Sequence, residues 1–279
     1  MPREQKAGSE GELAPVLAER AEGKCMTSGW RSSRLLWVAV VSVVAVVAFA
    51  IDVPLQRAVS TGRPPSVVQD YFNAAETFGN GFGVVMVVLA VVVLDASRRV
   101  QTSRLIAASL GAGIVADLVK LGVSRSRPHS ISLEQVTAWD TFSGWAPLLS
   151  AGSQGQSFPS AHTACAFGLA AALAYAYPGG ARMFYSFAAG VALQRVCMGA
   201  HFLSDVVIGA ALGVVWAGAV CQQGMLCAGF DRMEAWWSRR FGWSLPEGHN
   251  TLAEEADTLP MHLGSRDTLS PSTETQRAA

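Results

Sequence analysis

Charge is scarce through the middle of this sequence. Only 15% of the residues are Asp, Glu, Lys or Arg, and they crowd toward the two ends and into a few short stretches between. The 21 basic and 21 acidic side chains cancel, so no overall basic field exists to attract a nucleic acid. Cysteine is sparse as well: Cys25, Cys165, Cys197, Cys221 and Cys227 make an odd set without metal-ligand spacing. Several lie in strongly apolar runs and read as small buried hydrophobes. Neither a disulfide framework nor a metal site is expected, and no internal repeat is evident. What the chain has instead is apolar side chain, 51% of its positions, in separate blocks. That is too much for an ordinary soluble domain.

The blocks have the length of membrane helices. Leu35 to Ile51 is apolar apart from Ser42, and a helix of that length covers most of the roughly 30 Å hydrocarbon core. Ala48-Phe49-Ala50 resembles a signal-peptidase site, but the polar segment before it is long for a signal, so the run reads as a retained first span. Five more follow: Gly81–Leu94, Leu105–Gly122, Ala161–Tyr177, Met183–Met198 and Phe202–Cys221. Their Gly and Ala residues (Gly111 and Gly113, Ala170 to Ala172, Ala188 to Gly190, Gly209 and Gly213) predict close helix–helix contacts. The expected architecture is an all-α, polytopic bundle of about six transmembrane helices over residues 34–225. Residues 1–33 read as a disordered lead-in, and 226–279 as an interfacial segment with a disordered tail. Arginines at 31, 34, 98, 99, 104, 182, 239 and 240 mark one side of the membrane as cytoplasmic, with both termini there.

Three polar clusters interrupt the apolar pattern at span ends: Lys120 to Arg127-Pro128, Phe158 to His162, and Arg195 to His201 and Asp205. With spans alternating in direction, all three fall on one face, and that face is extracytoplasmic if the termini are inside. Arg127 and Arg195 offer planar forks of donors, and Lys120 a mobile point charge. Together they suit the oxygens of a phosphoryl group. Pro159-Ser160 opens a helix, so the amides of Ala161 and His162 face an anion at its positive end. His201 and Asp205 are four residues apart and share a helical face. A carboxylate on one ring nitrogen would leave the other free to attack.

The resulting assignment is Lys120, Arg127, Ser160, Ala161 and Arg195 as phosphate contacts, His201 as nucleophile, Asp205 as its orienter and His162 as the acid. Each part also has an ordinary structural reading. Lys and Arg anchor helices at membrane interfaces, Pro-Ser is a common cap, and an i, i+4 His/Asp pair is often just a hydrogen bond. Asp117 reads as a structural partner for Lys120 or a neighbouring helix, and His129 has no evident partner. The convergence of three clusters on one reaction is what favours function.

K-x6-R-P, P-S-x-H and R-x5-H-x3-D, in this order, resemble the three signature motifs of the type 2 phosphatidic acid phosphatase (PAP2) superfamily. Its members include bacterial lipid phosphatases and vanadium-dependent haloperoxidases. Ala74 to Phe82 is similar to a Gly-containing stretch of its membrane members. The resemblance implies a helical bundle without cofactor or metal, an extracytoplasmic site in the cell membrane, and a lipid phosphomonoester or diphosphate as substrate. Two positions depart from the pattern: Ala161 stands where Gly is usual, and Gln194 where Ser is usual. Phosphatidate, phosphatidylglycerol phosphate, polyprenyl diphosphate and lipid A all remain open as substrates. So do transfer of the phosphoryl group to an acceptor other than water, and a non-catalytic anion or lipid transporter. Residues 129–158 form a long connection that reads equally as a lid, a headgroup selector or an interfacial loop.

Overall fold

In a run such as Gly81–Leu94 nothing is polar but the backbone, and a helix satisfies each N–H and C=O inside the segment. The computed structural model describes residues 27–62, 65–146, 148, 152–222 and 224–243. Its helices are α1 (Thr27–Thr61), α2 (Ser66–Glu76), α3 (Gly81–Leu94), α4 (Thr102–Lys120), α5 (Ala161–Ala176), α6 (Ala181–Cys197), α7 (Leu203–Cys221) and α8 (Met225–Phe241). All six expected runs are helical. α1 exceeds its apolar run at both ends, starting within the segment expected to be disordered and continuing through Asp52 and Pro54. The rest of the expected lead-in (1–26) and the tail from residue 244 lie outside the described residues. α2 was not anticipated. Two short antiparallel strands, β1 (Val123–Arg125) and β2 (Phe142–Trp145), add a small ribbon to the otherwise helical fold.

Among the described residues, α1, the stretch Ala96–Lys120 that ends in α4, and α7 are long and apolar enough to cross a membrane. The α2–α3 pair, bent by 65°, makes a fourth if taken as one broken span. α5 and α6 are shorter, about 24 and 26 Å at 1.5 Å per residue. Leu35, Val43, Val46, Val93 and Leu94 are each more than half exposed. In water such a belt would forfeit about 25 cal/mol for each Å² left wet, whereas lipid removes that cost. This is a helical membrane protein.

Inside the belt, Leu105 and Ala108 of α4, Leu169 and Leu173 of α5, and Val220 of α7 form one buried cluster. The helices meet where small residues let backbones touch. A Cβ on Gly168 would stand 2.3 Å from the Ala108 carbonyl oxygen, and one on Gly213 2.5 Å from that of Ala164. Arg104, counted above among the loop arginines, is not a loop residue. It lies buried in the first turn of α4, donating from Nε to Glu234 Oε1 of α8 (2.6 Å) and from Nη1 to the Val220 carbonyl (3.0 Å). That network clamps α8 across one end of the bundle. Lys120, the last residue of α4, marks the other.

Gly168→Val pushes a branched side chain into the α4 backbone. The expected loss is about 1–3 kcal/mol, read as a lower thermal midpoint of the detergent-solubilised protein beside Gly218→Val, whose Cβ position has nothing within 4 Å.

Candidate functional site

The end of α4 (Lys120), β1 and the turn after it (Arg125, Arg127), the start of α5 (Ser160, His162), the end of α6 (Arg195) and the entry to α7 (His201, Asp205) meet at one end of the bundle. Backbone hydrogen bonds join them: Ser157 N donates to Arg125 O (2.9 Å), Ser160 N to Asp205 O (3.1 Å), and His129 N to Gly199 O (3.1 Å). The three polar clusters of the sequence are therefore one structural unit.

Its centre is Arg125, a residue that lies inside the first motif's spacing but is not specified by it. Arg125 is completely buried. Nη2 donates to Asp52 of α1 (2.8 Å), Nη1 to Asp205 (2.5 Å) and Ser204 (2.8 Å), and Nε to Thr141 (3.0 Å). The Phe142 and Phe202 rings lie 4.8 and 4.3 Å from its guanidinium carbon, adding cation–π attraction on the faces. Asp52 also accepts from Ser204 N (2.9 Å). Nearby, Gln56 of α1 donates to the Val196 and His201 carbonyls, both at 3.1 Å. Asp52 and Gln56 lie past the first apolar run, and only the continuation of α1 brings them here.

The histidine expected to be held by Asp205 has a nearer partner. His201 Nδ1 is 2.7 Å from the Ser157 carbonyl oxygen and 3.7 Å from Asp205 Oδ2. A carbonyl only accepts, so Nδ1 carries the hydrogen, and in the neutral ring Nε2 keeps its lone pair. Asp205 acts one step back. Oδ2 accepts from Ser157 Oγ (2.6 Å) and from Phe202 N (2.9 Å), fixing both segments that hold the ring. Burial draws His201 below the usual imidazole range; Asp205 opposes this, and the charges of Arg127 and Lys120 add to it.

The remaining residues fill in around that histidine. His162 lies within electrostatic reach of Arg195, Glu76, His201 and Lys120. Its Nε2 is 3.9 Å from Glu76 Oε1, the same oxygen that pairs with Arg195. Lys120 Nζ donates to Asp117 at 2.8 Å, the partner expected of it. Arg127 is drawn down by burial first and then by the charge of Arg195, as befits two cations sharing a small volume. Ser160 caps α5, its Oγ accepting from Thr163 N (3.4 Å) and Thr163 Oγ1 (3.0 Å). Ala161 has an ordinary negative φ, so a glycine is not required there. His129 does have a partner, the Gly199 carbonyl 3.0 Å from Nδ1.

The connection after Arg127 is strapped to the bundle in its described part. Arg57 Nε donates to Leu133 O (2.6 Å), and Phe49 meets Trp139 edge-on with centroids 4.8 Å apart. Beside it opens a cavity of about 630 Å³, lined by Ser124, Ser126, Ser130, Ser143, Gln154 and His129.

The apolar helical bundle thus gathers His162, His201, Lys120, Arg127, Arg195 and the buried Asp205 at one of its ends. Residues 101–226 match the PAP2 superfamily model. It is 33% identical to a lipid A 1-phosphatase of Rhizobium etli over 36% of this chain and 40% of the relative. It is 32% identical to a lipid A 1-phosphatase of Rhizobium johnstonii over 36% and 38%. The chain thus aligns with only about two-fifths of the length of these relatives. The crystal structure of Aquifex aeolicus LpxE is similar with a TM-score of 0.46 and 23% identity, covering 60% of this chain and 93% of that one.

Arg125→Leu strands two buried carboxylates, so a loss of about 3–5 kcal/mol is expected, measured as reduced thermal stability and yield of folded protein. His201 gives a pH signature. Its folded pKa is lowered, while the unfolded imidazole titrates near 6.5, so the unfolded chain binds the proton first. Stability is complete above roughly pH 6.5 and falls as pH drops through the folded value. His201→Gln should lose stability less steeply than the parent on acidification from about pH 7 to 5.

Proposed function

We propose that this protein is an integral membrane phosphatase that hydrolyses a lipid phosphate through a phosphohistidine on His201. The observation that carries the reading is the Ser157 carbonyl on His201 Nδ1 (2.7 Å), which leaves Nε2 as the nucleophilic nitrogen in a site ringed by Lys120, Arg127 and Arg195. In the first step Nε2 attacks phosphorus and the bond to the lipid oxygen breaks. The three cations and the amides opening α5 take up charge on the phosphoryl oxygens. His162 protonates the departing alkoxide. In the second step water attacks the phosphohistidine, His162 accepts its proton, and inorganic phosphate leaves with the Nε2 lone pair restored. Asp205 serves by holding Ser157 and Phe202, hence the ring, rather than by bonding Nδ1 itself.

The substrate reading rests on the relatives and on the cavity beside Arg127. Four serines and Gln154 share its lining with His129, Ile131 and Gly155, which gives a sugar headgroup both hydroxyl partners and apolar surface, and the relatives are lipid A 1-phosphatases. A phosphorylated glycolipid is the first substrate to test. The face follows from charge. Arg98, Arg99, Arg239 and Arg240 sit toward the Arg104 end of the bundle, which the positive-inside rule assigns to the cytoplasm. The site then opens on the periplasmic side of the cell membrane, with both termini inside. Against a transporter, the cations Lys120, Arg127 and Arg195 lie at the ends of α4 and α6 and in the turn after β1, on one face.

Purified protein is expected to release inorganic phosphate from a lipid A 1-phosphate, with phosphatidate and polyprenyl diphosphate as comparison substrates, in the presence of EDTA. His201→Ala should abolish release, a loss of about 10⁴-fold or more for a nucleophile. A mutant as active as the parent, or lipid moved across proteoliposomes without phosphate release, would sink the mechanism.

A further inference from the structure

The last turn of α2 reaches the site through a residue that none of the signature motifs contains. Glu76 sits at its C-terminal end, and its carboxylate closes a ring with two neighbours on α6. Oε1 accepts from Arg195 Nη2. Oε2 accepts from Gln194 Nε2 at 2.9 Å. Gln194 Oε1 in turn accepts from Arg195 Nε at 2.5 Å. Two of the three guanidinium nitrogens are committed to these contacts, and Nη1 is left to turn toward a ligand. Gln194 is 2% exposed, so its amide has no water to bargain with and its orientation is set by its two charged neighbours. Behind the ring, a Cβ on Gly79 would stand 2.8 Å from the His162 carbonyl, so the turn after α2 is pressed against the first turn of α5. The same Glu76 oxygen that holds Arg195 faces His162 at 3.9 Å.

We propose that Glu76 and Gln194 form a positioning pair that aims Arg195 at the substrate phosphate and ties α2 into the site. Serine, usual at the position of Gln194 in the chains that this sequence resembles, is too short to bridge Arg195 to a carboxylate on another helix. The longer amide and Glu76 therefore work as a unit in this chain. The arrangement has a chemical logic. A guanidinium with an unrestrained stem must lose rotamer freedom when it binds an anion, whereas one already locked on its Nε edge loses little. The carboxylate also offsets part of the repulsion among Arg195, Arg127 and Lys120 before substrate arrives.

The inference rests on the phosphate-binding reading of the site, so its test needs a readout that does not require turnover. Binding of inorganic phosphate to the full-length protein in detergent, followed by titration calorimetry, is that readout; lipid phosphate release by the parent and by His201→Ala tests the phosphatase reading separately. Glu76→Ala should weaken phosphate binding about tenfold and raise KM with kcat reduced less, because a mis-aimed donor chiefly costs binding. Glu76→Gln, which keeps an acceptor for Arg195, should recover part of the loss. Gln194→Ser should resemble Glu76→Ala, and the double variant should be no worse than the poorer single one, the mark of a shared task. Folded Glu76→Ala with parental phosphate affinity would overturn the proposal. Tighter binding would overturn it too, since Glu76 would then be competing with phosphate for Arg195. If Glu76→Ala does not fold, parental affinity in Gln194→Ser decides against it.

Discussion

One cation and two carboxylates, all without contact to solvent, hold the working end of this protein together. Arg125 lies between Asp52 of α1 and Asp205 of α7, and serine and threonine hydroxyls complete the hydrogen bonding. Burying three charges carries a desolvation penalty of several kcal/mol per ion, which mutual attraction offsets only when geometry is good and the remaining polar sites are filled. Both conditions are met here, with aromatic rings closing the faces of the guanidinium. Once formed, the arrangement leaves little freedom to its parts. The first helix, the small ribbon and the helix that follows His201 are joined at one atom group. Through Asp205, Ser157 and Phe202 the constraint reaches the imidazole of His201.

The triad has one more carboxylate than cation, and this matters for what surrounds it. Lys120, Arg127 and Arg195 lie close by, with Asp117 and Glu76 as partners of two of them. The end of the bundle is therefore a patchwork in which positive groups and their counter-charges alternate. At the far end the same device appears in simpler form, where Arg104 pairs with Glu234 and so attaches α8. Between the two ends there is almost no polar chemistry. There the helices hold one another through glycine and alanine contacts, as expected where lipid provides no hydrophobic drive between helices.

Placement at helix ends also fits the proposed substrate. An amphiphile presents its phosphate at the level of the interface, where its headgroup is wet and its chains are not. A site at that depth can meet the phosphate without drawing charge into hydrocarbon, which would be costly. The strapped segment from His129 to Trp145, held by Arg57, Trp139 and the ribbon, supplies the polar wall beside the site.

The apolar runs determined the helices, because backbone groups in lipid have no other way to be satisfied; six runs became helices, five of them nearly within their expected bounds and α1 longer at both ends. The motif spacing likewise determined Lys120, Arg127, His162, Arg195, His201 and Asp205 as one cluster, since alternating helices leave their ends on one face. Asp52, Glu76, Arg125 and Ser157 were not legible in that way. Each is a common residue at an unremarkable position, and each gains its task from a partner far away in sequence, across a distance that only packing closes. The hydrogen-bond partner of His201 shows the difference most directly. Four-residue spacing made Asp205 the obvious choice, yet the ring turns to the Ser157 carbonyl, because the extended entry to α5 brings that oxygen a full ångström closer than the carboxylate. Sequence spacing determines which residues can share a helix face; which atom comes within hydrogen-bonding distance is decided by how the segments between helices pack.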